Sequence, residues 1–115
     1  LRNSRLADVI GVSAGKFKLY DLEIDYDRRM VTVCGNDAKL TRTEYNILEF
    51  LSQNTGKVLT HKYILTNVWG SSLETDVGTL RVFMATLRKK LEKVPGTSQY
   101  IQTHIGVGYR MMKVE

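Results

Sequence analysis

Arg81, Arg88, Lys89, Lys90 and Lys93 stand against only Asp76 and Glu92 in the stretch DVGTLRVFMATLRKKLEK, a local charge of +3. Guanidinium and ammonium groups do one chemistry well: they neutralise phosphate and carboxylate oxygens. Their spacing decides what they could meet. Val77, Leu80, Met84, Leu87 and Leu91 recur at intervals of three and four, which places them on one side of a helix over residues 76–92. The opposite side then collects Gly78, Thr79, Val82, Ala85, Thr86 and Lys89, with Arg81, Arg88 and Lys90 near its flanks. A solvated face is ordinarily filled with long charged residues. Short side chains set among basic ones instead suit close approach to something anionic, and a DNA major groove is the favoured partner. An ordinary solvated basic face can show the same pattern, so the helix alone does not decide.

Other chemistries lack their residues. No Ser/His/Asp grouping occurs, no paired carboxylates have an obvious base, and no Gly-Lys loop could cradle a phosphate, so an enzyme is not expected. His61 and His104 lie far apart without a ligand cluster, so neither a metal nor a cofactor is expected. A lone histidine in a strand, as His104 would be, is more often structural. Cys34 has no second cysteine to pair with and reads as a packed or edge-strand thiol.

The elements that must hold the basic helix follow from the patterns on either side. At 115 residues the chain fits one domain with a core of its own. No apolar run approaches the ~20 residues of a membrane span, and residues 1–15 lack the hydrophobic core of a signal peptide. A soluble protein of a reducing, cytoplasmic compartment is expected. The net charge of +5 and pI near 9.4 favour a nucleic-acid partner. Residues 1–15 show no lasting period and read as a linker or poorly ordered lead-in to a domain at residues 16–115. With no methionine at its start, the chain is expected to be the cut end of a longer protein. From residue 16 to 40 the pattern alternates, offering Phe17 and Leu19, Leu22 and Ile24, then Met30, Thr32 and Cys34, with Asp-Arg-Arg and Gly-Asn-Asp as turns. This predicts a small antiparallel sheet of three or four strands.

Thr41 and Glu44 then form a T-x-x-E capping box, with Leu40 and Tyr45 placed to staple it. The helix it opens runs to about Asn54, with Ile47, Leu48, Phe50 and Leu51 on its apolar face. After a short link at Lys57, Val58 and Leu59, Thr60 caps a second helix containing Ile64, Leu65, Val68 and Trp69 and stopped at Gly70. Ser71, Ser72, Leu73, Glu74 and Thr75 form a polar loop, and Thr75 or Asp76 caps the basic helix. Beyond the breaker Val94-Pro95-Gly96, the run YIQTHIGVGYRMMKV reads as two strands turning at Gly106 and Gly108, which tolerate positive φ. No helix follows these glycines, so they are not a dinucleotide motif. Three helices closed by a terminal hairpin describe a winged helix, an α+β fold whose last helix enters a groove while the wing touches backbone or minor groove.

Three stretches also carry a resemblance. LTRTEYNILEFLSQNTGKVLTHKYILTNVWG, TLRVFMATLRKKLE and IQTHIGVGYR occur in the order found in the DNA-binding effector domains of OmpR/PhoB-type two-component response regulators. The chain resembles that family over about residues 16–114, with its nearest likeness to the potassium-responsive regulators. The resemblance implies a winged helix-turn-helix with an N-terminal four-stranded antiparallel sheet, three helices and a wing at residues 101–112. It implies sequence-specific binding of double-stranded DNA for transcription regulation. Thr79, Arg81, Val82, Ala85 and Thr86 would face bases or nearby phosphates, and Arg88 and Lys89 the backbone. Trp69 and Tyr109 would help hold phosphates, and beyond what the resemblance implies Thr103, His104 and Arg110 on the hairpin could add DNA-backbone contacts. The loop Ser71, Ser72, Leu73, Glu74 and Thr75 would meet RNA polymerase. A receiver domain carrying the phosphoacceptor would be a separate domain, absent from this chain. Relatives bind head to tail, which implies a monomer alone and a tandem pair on direct-repeat DNA.

One position departs from the family pattern. Many relatives have an arginine just before the first wing glycine, where it can enter the minor groove, and here the position holds Ile105. Without that arginine, minor-groove reading by the wing loses its usual side chain. From the residues themselves the alternative is a winged-helix protein-interaction module whose basic helix faces an acidic protein. The salt dependence of binding separates the two, since phosphate contacts weaken linearly in log affinity against log salt.

Overall fold

The computed structural model describes residues 12–13, 15–70, 76–92 and 100–113. Alternation builds the first sheet. In β2 (Lys16–Leu19) Phe17 and Leu19 turn inward, and in β3 (Leu22–Asp25) Leu22 and Ile24 do the same, leaving Lys18 and Glu23 on the outer side. β4 (Met30–Val33) follows, and β1 (Val12–Ser13) and β5 (Asn36–Asp37) add two-residue edges, giving the antiparallel order β1-β2-β3-β4-β5. The four strands expected after residue 16 are present. A fifth comes from the stretch read as a lead-in, where Val12 pairs with Phe17 and Ser13 with Lys16.

Two readings of this sheet are corrected. β4 runs in the opposite phase from Met30, Thr32 and Cys34: Val31 is buried and Met30 exposed, because the register sets Val31 opposite Ile24 and Met30 opposite Asp25. A run of Met-Val-Thr-Val favours neither phase until its partner strand is fixed. Cys34 lies in no strand. With Gly35 it makes the two-residue turn between β4 and β5, at φ of 54° and 81°, and its thiol is exposed.

The helices start where their caps predict. At α1 (Arg42–Ser52) the Thr41 hydroxyl accepts from Glu44 N at 3.3 Å, and Glu44 Oε1 accepts from Thr41 N at 2.8 Å. The helix stops at Ser52 and not at Asn54, whose side-chain amide donates back to the Phe50 carbonyl at 2.9 Å. Ile47, Leu48 and Leu51 are buried, while Phe50 is half-buried with its ring 5.4 Å from that of Tyr63. α2 (His61–Trp69) is capped by Thr60, whose hydroxyl accepts from Tyr63 N at 3.1 Å. α3 (Val77–Leu91) is capped by Asp76, which accepts from Thr79 N at 2.9 Å. Those donors at Thr79 hold the Asp76 carboxyl below the ordinary range. Leu80, Met84, Leu87 and Leu91 are buried and Val77 is half-buried, so the predicted stripe is the inner side of α3.

The second sheet corrects the short link. Val58–Thr60 is a strand, β6, which pairs with β8 (Gly108–Met111), and β8 pairs with β7 (Ile101–His104), in the order β6-β8-β7. Three residues with one buried side chain, Leu59, have no period to announce them. The two wing glycines also differ. Gly106 turns the hairpin at φ 77°, as expected, but Gly108 is needed for space, since a Cβ there would overlap the Leu59 carbonyl oxygen. Both sheets and the three described helices contribute to one core, with Tyr100, Ile101 and Met111 joining the helices' leucines.

Candidate nucleic-acid interface

Burying one side of α3 leaves the other to solvent. Thr79, Arg81, Val82, Ala85, Thr86 and Lys89 are all exposed, with Gly78 beside them in the first turn. Val82, at the middle of this face, is 67% exposed. The Thr86 hydroxyl donates to the Val82 carbonyl at 3.1 Å, so its proton is spent inside the helix and its methyl group and acceptor oxygen are left for a partner. Arg81 flanks this methyl-rich centre, and among the described residues no hydrogen bond holds its donor fork.

The three consecutive basic residues near the end of α3 part company. Arg88 is half-buried: its Nη2 donates to Thr103 Oγ1 at 2.6 Å, and its guanidinium lies 5.6 Å from the centroid of the Tyr109 ring. Lys90 turns inward, donating from Nζ to Glu44 Oε1 at 2.6 Å and to the Lys39 carbonyl at 3.3 Å. Lys89 alone of the three faces outward. The helical wheel put Lys90 near the outer flank, whereas its place three residues after Leu87 sets it on the border of the buried stripe.

The wing residues divide in the same way. Tyr109 is 4% exposed, with Arg88 over its ring and the His61 ring near-perpendicular to it at 5.6 Å between centroids. Thr103 is exposed but its hydroxyl is engaged by Arg88. Arg110 is half-buried and bonds Gln102 through Nη2 across the β7–β8 ladder, where the two residues are directly paired. Gln102 was not singled out by sequence, although counting outward from the hairpin turn places it opposite Arg110. His104 is half-buried, and its Nε2 has no hydrogen-bond partner among the described residues. Ile105 stands at the tip, 94% exposed. Trp69 closes α2, half-buried with its ring 5.5 Å from that of Phe83.

The structure thus gathers six of the expected residues on one face of α3, places Arg88, Thr103 and Tyr109 at the joint between α3 and the wing, and spreads His104 and Arg110 along the hairpin. Ser71, Ser72, Leu73, Glu74 and Thr75 lie outside the described residues. Among the described residues no group of three His, Cys, Asp or Glu side chains could hold a metal ion, and no helix is long and apolar enough to cross a membrane.

A family model described as "Transcriptional regulatory protein, C terminal" matches residues 35–111. The chain belongs to this family, of OmpR/PhoB type. This regulator domain is similar to the sensory transduction protein RegX3 of Mycolicibacterium smegmatis, at 32% identity over 111 residues that cover 96% of this chain and 49% of the relative. It is also similar to the KDP operon transcriptional regulatory protein KdpE of Escherichia coli, at 36% identity over 95 residues covering 83% of this chain and 42% of that one. KdpE is the potassium-responsive regulator to which the motifs pointed, and RegX3 matches more of the domain at similar identity. The chain spans less than half the length of these two relatives. Among solved structures, the DNA-binding domain of the response regulator AdeR in complex with an intercistronic region superimposes with a TM-score of 0.71 at 30% identity, covering 84% of this chain and 98% of that one. The family consists of transcriptional regulators and is not enzymatic.

Proposed function

We propose that this regulator domain binds double-stranded DNA sequence-specifically to control transcription, as the effector domain of a two-component response regulator. In this reading α3 enters the major groove and the hairpin at residues 101–112 lies along the backbone. The observation that carries it is the outward face of α3, where Val82, Ala85 and Thr86 form a low, exposed centre beside Arg81 and Lys89. AdeR, solved on DNA with the same fold, supports it. Thr79, Arg81, Val82, Ala85 and Thr86 face bases or nearby phosphates, with Arg81, Val82 and Thr86 setting sequence preference, and Lys89 meets a phosphate. Arg88, Thr103 and Tyr109 set the wing, and His104, Arg110 and Trp69 lie at the backbone.

The wider assignments extend the same reading. The domain runs from the edge strand at Val12–Ser13 to residue 115, the residues before that strand link it to a receiver domain of a longer, cytoplasmic protein, and residues 71–75 meet RNA polymerase. The isolated domain is a monomer and pairs head to tail on direct repeats about one helical turn apart. Replacing Leu73 and Glu74 with alanine in the full-length regulator then lowers transcription and leaves DNA affinity unchanged.

Selection of bound duplexes from a random pool tests the central claim. The winners should align as direct repeats and bind ~10³-fold or more tightly than random duplex, with log affinity falling linearly in log salt. Palindromic winners would overturn the head-to-tail arrangement. Failure to enrich any duplex, together with capture of an acidic protein by α3, would instead favour the protein-interaction alternative.

A further inference from the structure

Glu44 is a carboxylate in the first turn of α1, yet it is only 3% exposed. One of its oxygens, Oε1, accepts from Thr41 N at 2.8 Å and from Lys90 Nζ at 2.6 Å, and the same ammonium donates to the Lys39 carbonyl at 3.3 Å. Lys39 and Thr41 lie on the segment between β5 and α1, and Lys90 is in the last turn of α3. The Glu44–Lys90 pair therefore ties the exit of the first sheet, the start of α1 and the end of α3 together.

The capping box does not require this arrangement. Glutamine at the same position would satisfy Thr41 without a charge, and an apolar residue in place of Lys90 would avoid the desolvation that a buried ion pair incurs. What the ion pair adds is direction. Leu80, Met84, Leu87 and Leu91 pack by shape, and a leucine stripe tolerates small rotations of its helix that a 2.6 Å charged hydrogen bond does not. We propose that Glu44 and Lys90 form a latch that fixes the rotation and axial register of α3 against the scaffold, so that Lys90 is a positioning residue for base reading and contacts no phosphate. The proposal rests on the reading of α3 as the groove helix. Arg88 fastens the same turn to the wing through Thr103, so Lys89 projects outward between two anchored residues.

The test compares Lys90→Met, Lys90→Arg and Glu44→Gln with the unaltered chain. Each is measured on the selected site and on random duplex over a salt series, and in the free state by amide hydrogen exchange along α3. Lys90→Met keeps most of the side chain's bulk, and Glu44→Gln keeps the capping box while removing the charge. Both should speed exchange in the last turns of α3 and weaken binding to the selected site about tenfold. Binding to random duplex and the salt slope should stay as in the unaltered chain, and Lys90→Arg should recover most of the loss. Equal weakening on every duplex with a slope smaller by about one would make Lys90 a phosphate contact and overturn the latch. A lowered melting temperature with unchanged site preference would make the pair merely structural and overturn it too. If Lys90→Met does not fold, Glu44→Gln decides. If the unaltered chain prefers no duplex, the groove reading fails, while the exchange data still accept or reject the latch.

Discussion

Arg88 Nη2 donates to Thr103 Oγ1 at 2.6 Å, and this bond joins the helix that carries the exposed basic face to the first strand of the wing. The guanidinium is further held by the Tyr109 ring beneath it. Arg88→Ala should cost about 1 to 3 kcal/mol of stability, since a hydrogen bond from a charged donor and a cation–π contact are lost together. Thr103→Val should cost about 1 kcal/mol. In urea titrations the double variant should cost less than the sum, with a coupling above about 0.5 kcal/mol. Additive losses would mean that the two side chains do not meet in solution.

Arg81 and Lys89 are both exposed on α3, but their settings differ. Arg81 lies beside the methyl-rich centre, where a bidentate contact to guanine is possible, whereas Lys89 sits near the helix end. Arg81→Ala should cost ~1 to 3 kcal/mol on the selected site and flatten preference at one base pair, while Lys89→Ala should weaken all duplexes alike and shrink the salt slope by about one. Titrations on the selected site, its single-base variants and random DNA check both. Uniform weakening by Arg81→Ala with a smaller slope would make Arg81 a phosphate clamp.

Val82 offers two methyl groups to solvent, and the Thr86 hydroxyl is engaged by the Val82 carbonyl. Such a surface suits the methyl group of thymine. Replacing thymines of the selected site one at a time with uracil should weaken binding at one or two positions by about 0.8 kcal/mol, the transfer value of one buried methylene. The same replacement should have little effect on Val82→Ala. A uracil penalty of equal size in both proteins would place the methyl contact elsewhere.

The acid limb of stability should report on Glu44. Burial alone would raise the pKa of this carboxyl, but the hydrogen bond from Lys90, the Thr41 N–H and the ammonium's charge outweigh burial and hold it below its ordinary value. A carboxyl depressed in the folded state contributes stability that is complete above its unfolded pKa, near 4.3, and is lost as pH falls through the folded value. Urea midpoints between about pH 6 and about pH 2.5 should therefore decline in the unaltered chain. Glu44→Gln should start lower at neutral pH and show a shallower decline.

The wing glycines should respond differently to alanine. At Gly106 nothing lies near the missing Cβ and only the positive φ is strained, so Gly106→Ala should cost about 1 to 2 kcal/mol. At Gly108 the new carbon would run into the Leu59 backbone, so the β6–β8 pairing must open and the loss should exceed about 3 kcal/mol. Denaturant unfolding of the two variants distinguishes them. Equal losses would mean that the β6–β8 ladder gives way easily.

What could be read from the chain was whatever is decided within one turn or one period. Thr41 with Glu44, Thr60 and Asp76 announced three helix starts because a cap and its donors lie three residues apart. The buried side of α3 followed from spacing alone, and with it the exposed face. What could not be read depends on partners distant in sequence. The phase of β4 is set by Ile24 and Asp25 across the ladder, β6 exists only because Gly108, Tyr109 and Arg110 come back to it, and Lys90 is turned inward by Glu44. The resemblance implied a phosphate for Tyr109, and its burial beneath Arg88 depends on where α3 and the wing cross.

In the second sheet β8 lies between β6 and β7, although it follows both in the chain. Among the described residues neither outer strand has another partner in that sheet, so the sheet cannot assemble in chain order. The loop that closes β6 onto β8 spans about fifty residues and encloses α2 and α3, and its entropic cost is reduced only once those helices have packed. The β6–β8 pairing should therefore form late in folding, after the local β7–β8 hairpin. A chain halted before β8 would hold Val58–Thr60 and Ile101–His104 as unpaired edges, open to strand exchange with a second unfinished copy.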